Sequence, residues 1–139
     1  MKILFITDNF IPERNAPAKR TYEHSIEWLK LGHEVTVITG VPNFPKGKIF
    51  KGYKNKLFQT QILDGMNIFR VWTFIAANKG FVLRIMDYIS FMVSSFICGI
   101  FIKKHHIVIA TSPQFFTAIS GWLISFIRGV PFVLEIRDL

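Results

Sequence analysis

MKILFITDNFIPERNAPAKRTYEHSIEWLKLGHEVTVIT, residues 1–39, holds two short apolar runs with a helical stretch between them. KILFIT (Lys2 to Thr7) and EVTVIT (Glu34 to Thr39) are continuous apolar runs of the kind found in strands buried on both faces. Between them Ala18, Tyr22, Ile26 and Leu29 recur at helical spacing, Pro17 suits a first turn and Gly32 stands where a helix should end. The stretch predicts one βαβ unit with parallel strands. Further along, Gln59 to Leu63 and Asn67 to Trp72 flank Asp64-Gly65, a hairpin signal that Met66 weakens by lengthening the loop. His106 to Thr111 and Pro131 to Ile136 read as two more buried strands, separated by an apolar helix from about Gln114 to Ile127. Strands alternating with helices predict an α/β fold, a Rossmann-like, mostly parallel sheet with helices on both faces, as one domain over residues 1–139.

Half of the 139 residues are apolar, enough for a sizeable core without disulfides. The single Cys98 lies in an apolar stretch and reads as inert packing in a reducing compartment. Only four apolar residues follow Met1-Lys2 before Thr7 and Asp8, too few for a signal peptide. The net charge of +8 is unevenly placed: Lys46, Lys48, Lys51, Lys54 and Lys56 fall between Val35 and Gln61, where there is no carboxylate. Interleaved with Phe50 and Tyr53, they suit a solvated loop, contact with phosphates or anionic lipid, or nucleic acid.

Residues 81–102 are long enough to cross a membrane only if Arg84 and Asp87 are ignored. Without them 15 uncharged residues remain from Tyr88, roughly 22 Å of helix against a hydrocarbon core of about 30 Å. Ser90, Ser94 and Cys98 form a small-residue stripe suited to a closely packed crossover helix. The opposite face carries Phe91, Phe101 and several isoleucines, and Lys103-Lys104 follow, as on a helix lying in a lipid interface. A buried crossover helix accounts best for the pattern.

The loop after the first strand carries the most specific chemistry. TDNFIPERNAPAKRTYEH places Pro12, Asn15, Ala16 and Pro17 ahead of the helix, with Lys19 and Arg20 in its opening turn. Free backbone N–H groups and the positive helix end favour an anion there, and small residues let it approach. Arg20 opposes the helix dipole unless an anion offsets it. No G-x-G-x-x-G or G-x-x-x-x-G-K-[ST] motif occurs, so neither dinucleotide nor P-loop binding is supported. Asp8, Asp64, Asp87 and Asp138 are isolated from one another, so neither a glycosidase-type carboxylate pair nor a metal site is indicated. His24, one turn after Arg20, reads first as a solvated helix histidine, and His105-His106 lack a third ligand for a metal.

The run from Met1 to Tyr53, followed in order by DGMNIFRVWT, NKGFVLRIMDYISF, IVIATSPQFFTAISG and PFVLEIRDL, closely resembles the start of family 4 glycosyltransferases of the GT-B fold. The likeness is strongest to bacterial enzymes of O-antigen and capsule assembly, and NAPAKRTYEH is similar to the N-acetyl-L-fucosamine transferase branch. The resemblance implies the incomplete N-terminal, acceptor-side half of such an enzyme. Family members continue with WPES and a donor-binding C-terminal domain, absent from these 139 residues, so the chain alone is expected to be inactive.

Site residues follow from the same resemblance. Asn15, Ala16, Pro17 and Ala18 stand where the family commonly has a Gly-Gly pair near the donor diphosphate and the acceptor. Arg20 matches a recurrent basic residue, and Thr111, Ser112 and Pro113 match a turn facing the interdomain cleft. Arg137 and Asp138 match the turn where related enzymes place a His or Asp beside the transferred sugar, making Asp138 the foremost catalytic candidate. The implied reaction is a retaining, hexosyltransferase-type transfer in polysaccharide biosynthesis, from a nucleotide-sugar, UDP-linked, to a lipid-linked glycan. No cofactor, metal or nucleic acid is implied. A cytoplasmic, peripheral position at the inner face of the bacterial plasma membrane fits, with Lys46, Lys48, Lys51, Lys54, Lys56, Lys103 and Lys104 meeting an anionic membrane surface. A non-enzymatic module binding membrane or a partner, and a single-stranded nucleic-acid binder, are the rival readings.

Overall fold

The computed structural model describes residues 1–8, 10, 16–41, 49–55, 58–73, 80–102, 105–111 and 115–135. The two opening apolar runs become adjacent parallel strands, β1 (Lys2–Ile6) and β2 (Glu34–Gly40), with Lys2 opposite Glu34 and Ile6 opposite Ile38. The helix between them, α1 (Ala16–Lys30), ends at Gly32, whose φ of 91° lets the chain reverse. There the His33 amide donates to the Trp28 carbonyl at 3.1 Å and the Gly32 amide to Leu29 at 3.0 Å, closing two orphaned carbonyls. Next come β3 (Phe58–Leu63), β4 (Met66–Val71), α2 (Phe81–Phe101), β5 (Ile107–Thr111), α3 (Phe115–Arg128) and β6 (Phe132–Glu135). The sheet runs β3-β4-β2-β1-β5-β6, parallel throughout except for β3 at one edge.

Period-2 alternation sorts the strand residues between two faces. Ile3, Phe5, Val35, Val37 and Ile68 meet Tyr22, Ile26, Trp28 and Leu29 of α1. Leu4, Ile6, Ile38, Val108 and Ala110 meet Phe91 and Cys98 of α2 and Ile124 of α3. Each fully buried large side chain contributes about 1.5–3 kcal/mol. On α1 the side chains nearest the sheet are small: Ala18, Thr21 and Ser25 are all buried. Their hydroxyls are satisfied within the helix, Thr21 by the Ala18 carbonyl at 3.0 Å and Ser25 by the Thr21 carbonyl at 2.9 Å. Such a spine lets the helix lie close while Trp28 stands edge-on to Phe5 at 5.0 Å.

Several sequence expectations need correction, among them the buried reading of the last strand: β6 is the outer strand of the sheet, and its Val133 and Leu134 are 44% and 38% exposed. The helix begins at Ala16, so Ala16 and Pro17 lie inside it and Arg20 falls beyond the first turn, where the dipole penalty fades. Met66 does not lengthen the hairpin loop but pairs with Leu63. Asp64 and Gly65, with φ of 50° and 86°, alone make the two-residue turn. On α2 the buried line is Phe91, Ser95, Cys98 and Gly99 rather than Ser90, Ser94 and Cys98, and it takes Phe91 inside, away from Phe101. The small-residue logic holds one position on: Ser95 and Ser120 of α3 share a hydrogen bond of 2.7 Å, and Gly99 faces Ile124. Burial pushes the Cys98 thiol up to about 12, in keeping with inert packing.

Candidate functional site at the strand carboxyl ends

The chain leaves β1 through α1 to β2 on one side, and leaves β5 through α3 to β6 on the other. Because β1 and β5 are neighbours, the two connections part over their carboxyl ends, creating the switch-point crevice where open α/β sheets bind ligands. The helices α1 and α3 both begin at this end, directing free N–H groups and positive dipole ends toward it.

Its floor is polar and closely held. Thr7 and Thr111 are buried at the ends of β1 and β5. The Thr7 amide donates to the Ile38 carbonyl at 3.0 Å, and the Thr39 hydroxyl reaches the Asp8 carbonyl at 3.4 Å. On the side of α2 and α3, Tyr88 lies 6.3 Å from the Phe116 ring. Partial burial raises the Tyr88 pKa above its usual value, and the nearby Asp8 charge adds to the shift. On the side of α1, the His24 Nδ1 approaches Glu135 Oε2 at 3.4 Å, and Glu135 pairs in register with Thr111. Arg20 is exposed one turn earlier on α1. Polar hydroxyls, a cation and two helix starts suit an anionic ligand, and the His24–Glu135 pair could orient a hydroxyl.

Of the residues singled out from sequence, Ala18, Arg20 and Thr111 lie at this end. Ala18 is fully buried against the sheet, so only its main chain can face a ligand. The side chains of Ala16 and Pro17, together with Asn15, Ser112, Pro113, Arg137 and Asp138, lie outside the described residues, as do Lys46, Lys48, Lys56, Lys103 and Lys104. Lys51 and Lys54 are exposed. Tyr53 between them is partly buried, its ring 4.9 Å from the Arg70 guanidinium. Three contributors were missed: Tyr88 sits in a helix read only for its apolarity, Glu135 in a strand read only as buried, and Arg70 in a hairpin strand. No group of three or more His, Cys, Asp or Glu side chains that could hold a metal ion occurs among the described residues.

A depression of about 430 Å³ lies at the opposite, amino-terminal edge, lined by residues including Lys2, Glu34, Asn67, Phe101 and His105. There His106 Nδ1 accepts the Lys2 amide at 3.0 Å, so His106 is committed to the main chain. His105 is 7 % exposed, and neither ring nitrogen has a hydrogen-bond partner among the described residues. Burial, with help from Arg128 and His106, lowers its pKa below 6.5. A folded-state value below the unfolded one means that the unfolded chain takes up the proton first as pH falls. Stability should therefore be full above about pH 6.5 and decline on acidification through the folded pKa. Urea midpoints should fall between about pH 7.5 and pH 5, and His105→Leu should flatten that slope; an equal slope in the variant would contradict it.

No protein-family model matches the chain. The chain is 30% identical over 141 aligned residues, 99% of its length, to the colanic acid biosynthesis glycosyl transferase WcaI of Escherichia coli (strain K12). It spans about a third of the length of that relative, 34%. Among solved structures, the C-terminal domain of the PF1911 hydrogenase from Pyrococcus furiosus matches with a TM-score of 0.60 at 15% identity, covering 96% of this chain and 90% of that one. At that identity the likeness speaks for the fold alone, a six-stranded, mostly parallel α/β sheet of Rossmann type. The match to WcaI supports a glycosyltransferase relationship for the chain.

Proposed function

We propose that residues 1–139 form the acceptor-side N-terminal domain of a family 4 glycosyltransferase of the GT-B fold. In this reading the enzyme retains configuration while moving a sugar from a UDP-linked donor to a lipid-linked glycan at the inner face of the plasma membrane. The observation that carries the reading is the switch-point crevice, in a chain that aligns over 99% of its length with a glycosyl transferase. Helix starts and Arg20 would stabilise developing phosphate charge, and Thr111 would line the acceptor side. Asp138, three residues beyond the end of β6, would stand beside the transferred sugar. The lysines between 46 and 56 and at 103–104 would each add about 1 kcal/mol of attraction near an anionic leaflet.

Amide NMR titration of the chain, with UDP-sugars and separately with a short-chain polyprenyl-diphosphate sugar, tests the site. Shifts should gather at Thr7, Asp8, Tyr88 and Thr111, and Arg20→Gln or Asp138→Asn should weaken binding about tenfold, a typical charge-assisted contact. Shifts centred on His105, or binding indifferent to both variants, would refute it. The 139 residues by themselves should give no sugar transfer, since one sheet supplies one wall of a cleft and positioning is lost. Robust turnover by the purified chain would overturn that expectation.

A further inference from the structure

The small residues that seat α2 against α3 also decide what the two helices present outward. With Phe91, Ser95, Cys98 and Gly99 turned inward, the outer side of α2 is a stripe of Val82, Met86, Ile89, Val93, Ile97 and Phe101. These side chains are 69% exposed at Val82, 50% at Ile97 and 80% at Phe101. On α3, Trp122 and Phe126 are exposed too, their rings stacked with centroids 5.6 Å apart. No charged residue occurs from Tyr88 to Phe101, nor from Phe115 to Ile127. By length and composition α2 could cross a bilayer, but its inner side is committed to the sheet and to α3.

Apart from Arg84 and Asp87 in the opening turns of α2, charge collects at the far end of this apolar ledge. The Arg128 guanidinium, at the last turn of α3, donates to the Ile100 carbonyl near the end of α2. Lys103 and Lys104 follow α2 directly in sequence. An apolar face ended by cations and carrying an exposed indole has the make-up of a helix pair lying in a membrane interface. A second copy of the chain, with the same net charge of +8, would be repelled, whereas an anionic surface would attract it.

We infer that the outer face of α2 and α3 seats the protein in an anionic lipid leaflet. Val93, Ile97 and Phe101 enter the acyl boundary, Trp122 lies at headgroup depth, and Arg128 reaches lipid phosphates. The inference deepens the proposed reading by naming the face that meets the membrane, and its test is separable from that of the sugar site.

The probe is vesicles of equal parts phosphatidylcholine and phosphatidylglycerol, followed by flotation and by quenching of tryptophan fluorescence with brominated lipid. The wild-type chain should float with them. Val93→Glu combined with Ile97→Glu should weaken binding about tenfold or more, since charges on an immersed face are costly. Ile62→Glu, at a site 78% exposed on the edge strand β3, should leave binding unchanged. Circular dichroism melts check that every variant is folded, since all the replaced side chains are exposed. A folded double variant that binds like wild type would overturn the proposal, as would failure of the wild type to bind. So would a dimer, seen by sedimentation without lipid, that the double substitution dissociates. The sugar-ligand titration without vesicles should be the same in the double variant; its failure in both proteins would refute the sugar site and leave the lipid face standing.

Discussion

Replacing Arg70 with alanine should lower the unfolding free energy by about 3–5 kcal/mol. Arg70 is the largest fully buried side chain among the described residues, 2 % exposed. Its Nη1 donates to the Gly40 carbonyl at 2.8 Å and its Nε to Gln61 Oε1 at 2.9 Å, tying the end of β2 to both strands of the hairpin. Above it lies the Tyr53 ring, and nearby the Asn55 amide donates to the Thr73 carbonyl at 2.7 Å, so residues 53–55 are held against the end of β4. Alanine would leave a cavity worth about 2–5 kcal/mol and a buried carbonyl without its donor, a further 1–3 kcal/mol, the two overlapping as the site relaxes. Since domains are stable by only about 5–15 kcal/mol, the loss is a large share of the whole. Arg70→Met keeps most of the volume and should cost about half as much. Urea unfolding monitored by circular dichroism separates these cases, and an alanine variant within about 0.5 kcal/mol of the parent would contradict this account.

The second large effect is expected at Gly121. A Cβ there would stand 2.6 Å from Phe132 Cε1 and 3.1 Å from the Ala110 Cβ, so α3 reaches β5 and β6 only because this residue has no side chain. Alanine brings about 1 kcal/mol of helix propensity against overpacking of about 1–3 kcal/mol, for a net loss near 1 kcal/mol. Valine adds two methyl groups with a stiff χ1 and should cost about 3 kcal/mol or more. Thermal melts should rank glycine above alanine above valine; a valine variant as stable as the parent would sink the packing argument. The consequence extends to the crevice, because displacing α3 moves Phe116 away from Tyr88. Ligand-induced shifts at Tyr88 should therefore weaken in the valine variant even where it remains folded.

Much of this architecture is legible in the sequence because its signals are periodic or local. The runs at 2–7 and 34–39, the helix stop at Gly32 and the Asp64-Gly65 turn each rest on chemistry within a few residues. The α/β class and the mostly parallel sheet follow from their alternation. What escaped prediction depends on distant partners. Tyr88 lies near Asp8, and Glu135 meets His24, only because β1, β5 and β6 are neighbours, which no short window reveals. Arg70 drew no reading of its own, because nothing in MNIFRV announces that Gln61 and Gly40 will enclose it. The α2 stripe was displaced by one position because serine at 90, 94 and 95 gives nearly equal small-residue spacing along two adjacent lines of the helix.

The pairing of β1 with β5 joins segments about a hundred residues apart, as the Lys2 amide on His106 marks. On the ribosome, at about 5–20 residues per second, β1 and β2 can pair roughly 4–14 s before β5 has been made. Throughout that interval the free side of β1, lined by Leu4, Phe5 and Ile6, is an uncovered sheet edge open to other chains. Newborn chains are thus most exposed to aggregation while their central strand waits for its second neighbour. Slowed translation between codons 40 and 107 should lengthen that exposure, and chaperone capture during synthesis should be greatest there.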